Sequence, residues 1–271
     1  MLDRLKFFGS LYRAFLKVSI MSNIQYRASG VIWMIGSVLE PTIFLIVWSS
    51  VARSRGGEVQ GFTASEFAAY YIILMFINHL TFSWIMQVFQ YRIQFGGLSF
   101  ELLRPIHPIH SDISDNVAYK IVQMTIMVPA VVILILLFEP KFNFELWSLA
   151  LAIPVIFLAF LIRFLLEWCL ALVAFWTTRI QAVNQTYFAI VMFFSGRVAP
   201  IVLMPAWVQT MAENLPFYYM LAFPVELLTG RMSPSEAAVN ILLQLGWLLF
   251  AFVLISLVWK RAVRNFSAVG N

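Results

Sequence analysis

Residues Leu146–Trp176 read LWSLALAIPVIFLAFLIRFLLEWCLALVAFW, an apolar run whose only charges are Arg163 and Glu167. A helix that crosses the hydrocarbon layer takes roughly 20 consecutive apolar residues, so this stretch is long enough to span a membrane. Lipid offers the backbone no hydrogen bonds, and a run of this kind is therefore expected to be helical. Further runs cover about Ser29–Val51, Phe67–Tyr91, Asn116–Phe138, Ala182–Leu203 and Ala237–Trp259. Together they predict an all-α membrane protein with six transmembrane helices.

Composition points the same way. The 271 residues are 62% hydrophobic and 11% charged, with a mean hydropathy of +0.86. Soluble domains are about 45–50% apolar and about 25% charged, which excludes a water-soluble enzyme. Six crossings of roughly 20 residues take up most of the apolar sequence, so residues 1–271 read as one transmembrane domain. Cys169 is the single cysteine, so neither an intrachain disulfide nor a cysteine-based metal framework is possible. The net charge of +5 comes from residues scattered between apolar runs. That distribution suits a membrane and disfavours nucleic acid.

Polar or helix-breaking stretches separate the runs: Arg53–Gly57, Gly96-Gly97, Glu139-Pro140-Lys141, Thr177-Thr178-Arg179 and residues 204–236. Positive loops are retained on the cytoplasmic side. With a cytoplasmic N terminus, the inner side holds Arg4, Lys6, Arg13, Lys17, Arg27, Arg92, Arg104, Lys120, Arg179, Lys260, Arg261 and Arg264, against Arg53, Arg55, Lys141, Arg197 and Arg231 outside. Both termini are therefore expected to be cytoplasmic. No cleavable signal peptide is evident, because basic residues interrupt the first 28 positions. Residues 1–28 instead space Leu5, Phe8, Tyr12, Phe15 and Leu16 near helical periodicity among basic side chains. They predict an amphipathic interfacial helix; a disordered basic anchor is the competing reading.

The stretch from Tyr91 to Pro108, YRIQFGGLSFELLRPIHP, follows the second run. Gly96-Gly97 can break the emerging helix, Ser99 can cap a short new one, and Arg104-Pro105 can end it. The product is a short cytoplasmic amphipathic stub suited either to another protein or to lipid headgroups. In the outer segment 204–236 and just before it, Pro200, Pro205, Pro216 and Pro224 punctuate apolar sequence, and Glu213, Glu226 and Arg231 disfavour a seventh span. A charge at mid-bilayer costs at least about 2.5 kcal/mol on insertion scales. A re-entrant pair of short helices is expected, with an interfacial cap anchored by Trp207, Tyr218 and Tyr219 as the alternative.

With its amphipathic N-terminal helix, six spans, glycine pair followed by Leu102-Leu103-Arg104-Pro105, and proline-rich outer segment, the chain resembles permease subunits of ABC transporters of the type-2 exporter superfamily. Members of that superfamily move drugs, polysaccharides or lipid-linked compounds. The resemblance covers nearly the whole chain, and Leu102–Pro105 is its most specific element. It implies that residues 92–106 carry a coupling segment, formed by Gly96, Gly97, Leu98, Phe100, Glu101, Leu102, Leu103, Arg104 and Pro105, that fits a cleft in a cytoplasmic ATP-binding subunit. It also implies two copies of that subunit carrying ATP and Mg, a second permease chain, identical or related, and a bacterial inner membrane. No cofactor is expected on this chain: a phosphate-binding G-x-x-x-x-G-K-[ST] loop is absent, as are H-E-x-x-H and G-x-S-x-G motifs.

Three ionisable positions fall at membrane depth. Arg163 and Glu167 are spaced i,i+4, which places them on one helix face as an ion pair. Glu40 precedes Pro41. The functional alternative sets Glu40 or Glu167 on a substrate route, with Trp168 offering a cation–π face. His107 and His110 stand near Asp112 and Asp115, but Pro108 interrupts the repeat that would align the two imidazoles for a metal. Two other functions remain open at this level. One is a lipid-modifying membrane enzyme using His107, His110, Asp112 and Asp115; the other is an ion-coupled carrier using Glu40 and Glu167.

Overall fold

A computed structural model describes residues 2–177 and 180–265. Thr178 and Arg179, expected in a turn between spans, lie outside the described residues, as do the side chains of Arg4, Leu5 and Arg27. The chain is helical almost throughout. Helix α1 (Leu2–Gln25) bends at Tyr26 into α2 (Arg27–Ser54). A two-stranded antiparallel hairpin follows, β1 (Glu58–Val59) and β2 (Phe62–Thr63), with Val59 opposite Phe62.

Thr63 then starts α3 (Ala64–Thr81) with a reciprocal cap: its side chain accepts from the Glu66 backbone N–H while the Glu66 carboxylate accepts from the Thr63 N–H. This satisfies two amide donors that a helix start leaves free. The last helix, α11 (Pro234–Arg264), begins the same way at Ser233 and Glu236, with proline in the first turn. Both helices start about three residues before the apolar runs that predicted them.

Among the described residues five helices are long and apolar enough to cross a membrane: Ala28–Ser54, Ala64–Gln94, Ile109–Phe138, Leu146–Phe175 and Pro234–Arg264. Two of the expected spans are less regular than the runs that predicted them. The run Phe67–Tyr91 is divided into α3 and α4 (Ile85–Gln94) by a break at residues 82–84. No glycine or proline causes it. Tertiary contacts do: the Phe82 carbonyl accepts from Lys120 Nζ at 2.6 Å, and Arg163 Nη1 donates to the side chains of Asn78 (2.9 Å) and Thr81 (3.2 Å). Ser83 Oγ receives the Ile85 N–H at the start of the new helix.

The run Ala182–Leu203 is the second. Its α-helix, α8 (Ile180–Phe194), measures about 22 Å at 1.5 Å per residue, short of a hydrocarbon core of about 30 Å, and only a 3-10 turn, Ile201–Leu203, follows within the run. Gly196 ends it at φ +80°, where any Cβ would lie 2.4 Å from the Tyr70 hydroxyl. The irregular continuation is pinned by its own carbonyls: Tyr70 donates to Gly196 O, and both Trp48 and Tyr71 donate to Val198 O.

After the hairpin and α4 come α5 (Gly97–Leu102), α6 (Ile109–Phe138) and α7 (Leu146–Ala171), which runs on as a 3-10 turn, Leu172–Phe175. Helices α9 (Ala206–Glu213) and α10 (Phe223–Leu228) flank a π-helical turn, Tyr218–Ala222. That turn and α10 are buried against α3 and α7. Gln244 of α11 joins them, donating to both Val155 O and Tyr219 O. The segment then returns to the hairpin, where Arg231 meets Gly61 O at 2.7 Å and Glu66 at 3.5 Å. The buried side chains form two clusters: one near the hairpin around Phe67, Tyr70, Tyr219 and Phe223, the other near α5 around Phe89, Leu98, Phe164 and Trp168.

Candidate functional site: the α5 surface and the contacts behind it

Gly96 adopts φ +71°, a left-handed conformation that glycine enters without steric cost, and so turns the chain sharply from α4 into α5. Gly96 is the residue before the helix; Ser99, expected as the cap, sits inside α5 and makes no capping bond. The reason is that two glycines let the new helix start at once, three residues earlier than a cap at Ser99 would place it. Leu98 is fully buried and anchors the short helix to the bundle. Phe100 (72% exposed) and Leu103 (83%) face outward, with Arg104 and Pro105 also exposed. Tyr91 and Phe95, stacked at 5.6 Å, extend this surface from α4. Large apolar side chains gathered on a surface mark an interaction site.

Behind this surface runs a chain of charged and polar contacts. Glu101 of α5 pairs with Arg92 of α4 at 3.2 Å, Arg92 with Asp112 of α6 at 2.5 Å, and Asp112 accepts from the Trp168 indole of α7 at 2.8 Å. Four helices are thereby linked through three side-chain contacts. Burial pushes the Glu101 carboxyl above the usual carboxylate range, against the opposing pull of the Arg92 guanidinium. Burial likewise holds the His107 imidazole below its ordinary value, aided by nearby His110.

The remaining candidates fall into separate clusters. Arg163 and Glu167 pair at 2.9 Å, both fully buried, and Tyr187 of α8 donates to the same Glu167 oxygen. Trp168 is turned away into the aromatic group of Phe89, His107 and Trp259. Glu40 is bound instead by Arg197, whose Nη2 lies 2.7 and 2.8 Å from its two oxygens. Lys120, counted among the inner-side cations, is buried at the helix break, because the freed Phe82 carbonyl supplies it with an acceptor. His107 and His110 diverge: the first packs on Trp168 and Trp259, the second shares a hydrogen bond with Tyr12. Among the described residues no group of three or more His, Cys, Asp or Glu is placed to hold a metal.

The sequence matches the family described as ABC-2 family transporter protein over residues 38–270, nearly the entire chain. The chain belongs to the ABC-2 transporter family. No curated protein matches it. As an ABC-2 family member it is an integral membrane protein and the membrane component of an ABC transporter, a permease rather than a catalytic chain. ABC-2 membership implies an ATP-binding partner.

Proposed function

We propose that this permease is the transmembrane subunit of an ATP-driven exporter that moves a hydrophobic, amphipathic or lipid-linked substrate by alternating access. The observation that carries the reading is the exposed α5 surface joined to α4, α6 and α7 by Glu101, Arg92, Asp112 and Trp168. Two cytoplasmic ATP-binding subunits, carrying ATP and Mg, would seat on Gly96–Pro105 of two permease chains, identical or related. A push on α5 passes through Arg92 to α4, and the break at residues 82–84 lets α4 tilt while α3 stays packed. Such a lever shifts populations only if the partner binds the two conformations with unequal affinity. The exposed Phe100, Leu103 and Arg104 supply contacts that closure of the partner can alter.

In this reading both termini and α5 face the cytoplasm of a bacterial inner membrane. Helix α8 and residues 195–200 complete one of six crossings, and the buried π-turn with α10 forms a re-entrant outer closure. Glu40 keeps a side chain 36% exposed beside Arg197 and is the candidate that faces the route. Arg163, Glu167 and Trp168 are buried and hold the bundle in register.

The test is a reconstituted complex. Leu103→Glu is expected to abolish retention of the ATP-binding subunit, and Arg92→Ala to cut substrate-stimulated ATPase at least about tenfold, a loss of 1.4 kcal/mol or more of coupling. Both variants should insert normally. Unchanged partner retention and stimulation in the two variants would refute the assignment of α5.

A further inference from the structure

A cavity of about 290 Å³ opens between α1, α2, the helix break and α6, at the end of the bundle that carries α5. Its walls are aromatic: Trp33 meets Trp84 edge-on at 5.0 Å, and Trp84 meets Tyr119 edge-on at 6.2 Å. Asp115, Tyr119 and Gln123 follow one another at i, i+4 and i+8 along α6 and line the same side. Among the described residues the one cation in the wall, Arg92, is already bonded to Asp112 and Glu101 and has little left for an anion. Among the described residues Asp115 accepts only from Ser19, through one oxygen, and its second oxygen is left for another donor. Gln123 is 3% exposed, and its side-chain amide reaches the cavity next to Gly30 without a hydrogen-bond partner among the described residues.

Deeper along the same two helices lies an apolar groove of about 170 Å³, lined by Met34, Val38, Ile126 and Ala130 among others. From Gln123 to Ala130 the α6 backbone rises about 10 Å, room for much of an alkyl chain. The polar cavity and the dry groove therefore lie end to end.

We infer that Trp33, Trp84, Tyr119 and Asp115 form a binding site for an ammonium headgroup whose alkyl tail occupies the groove between α2 and α6. Aromatic faces attract a cation through the ring quadrupole, the Asp115 carboxylate supplies the opposite charge, and Gln123 offers a carbonyl oxygen. The site does not depend on the exporter reading, because it lies within one chain and needs no ATP-binding partner.

The test uses the full-length chain, alone, in phosphatidylglycerol nanodiscs, with radiolabelled dodecyltrimethylammonium as probe and empty nanodiscs as blank. Saturable binding is expected, and the uncharged isostere with carbon in place of the ammonium nitrogen should bind at least about tenfold more weakly. Asp115→Asn keeps an acceptor for Ser19 but removes the charge; Trp33→Ala removes one wall at an exposed position. Each should weaken binding by roughly fivefold to tenfold with no change in unfolding temperature. Equal binding by the isostere, or wild-type affinity in both variants, would overturn the inference. Phosphatidylethanolamine in the disc separates the sources: competition places a lipid headgroup in the site, whereas undiminished binding places a free amphiphilic amine there, and both support it.

Discussion

At the α5 end, Tyr91, Phe95, Phe100 and Leu103 stay exposed around a six-residue helix, whereas at the hairpin end Tyr70, Tyr71, Tyr218, Tyr219 and Phe223 are buried in a closed cluster. The first end is held by charge, through Glu101, Arg92 and Asp112; the second by ring packing and by hydroxyls that each find an acceptor, as Tyr70 does at Gly196 and Tyr219 at Glu213. On the proposed reading the first end meets another protein, so it keeps apolar surface uncovered and draws its rigidity from links behind that surface. An end that closes on itself can bury everything. Between the two stands the helix break, where Arg163 grips Asn78 and Thr81.

Removing Arg163 is the most severe way to break this contrast, since both ends are referenced to the break. Arg163→Ala leaves Glu167 buried without its partner and is expected to cost about 3–5 kcal/mol, read as a lower unfolding temperature in lipid nanodiscs. A variant as stable as the parent would show that the break holds itself and that the two ends are independent.

Glu226 sharpens the comparison from the hairpin side. Burial raises its carboxyl from 4.5 to about 7, while the Tyr218 hydroxyl bonded at 2.6 Å pulls the other way. Between those values the folded chain holds a proton that the unfolded chain releases, so stability falls as pH rises through this window and levels off above it. Glu226→Gln keeps the acceptor for Tyr218 and removes the titration. Its unfolding temperature should match the parent near pH 5 and exceed it at pH 8; parallel pH profiles would place the charge in water.

The smallest effect belongs to a helix start. Thr63→Ala removes one side of the α3 cap and should cost about 1 kcal/mol, with partner binding at α5 unchanged. A loss of partner binding would mean that the ends communicate through α3 itself, against a lever that turns at residues 82–84.

Some of what the apolar runs misplaced was present in other letters. T-A-S-E at 63–66 and S-P-S-E at 233–236 are capping boxes, the second with proline in the first turn, and they fix the starts of α3 and α11 better than hydropathy does. The Arg163–Glu167 pair was legible from its spacing because four residues return a helix to the same face. Glu40 with Arg197, and Arg92 with Asp112, were not: 157 and 20 positions separate the partners, and no local periodicity connects them.

The sequence by itself determined that the chain is a helical membrane protein with a short amphipathic segment after its second run, because backbone amides in lipid must bond within a helix and glycine pairs end helices. Tertiary structure alone decided where the second run breaks, why α8 stops at 15 residues, and which side chains link α5 to the bundle. A helix yields in mid-span only when another element offers its freed carbonyl and side chains partners, and Lys120 and Arg163 reach that break from helices far along the chain.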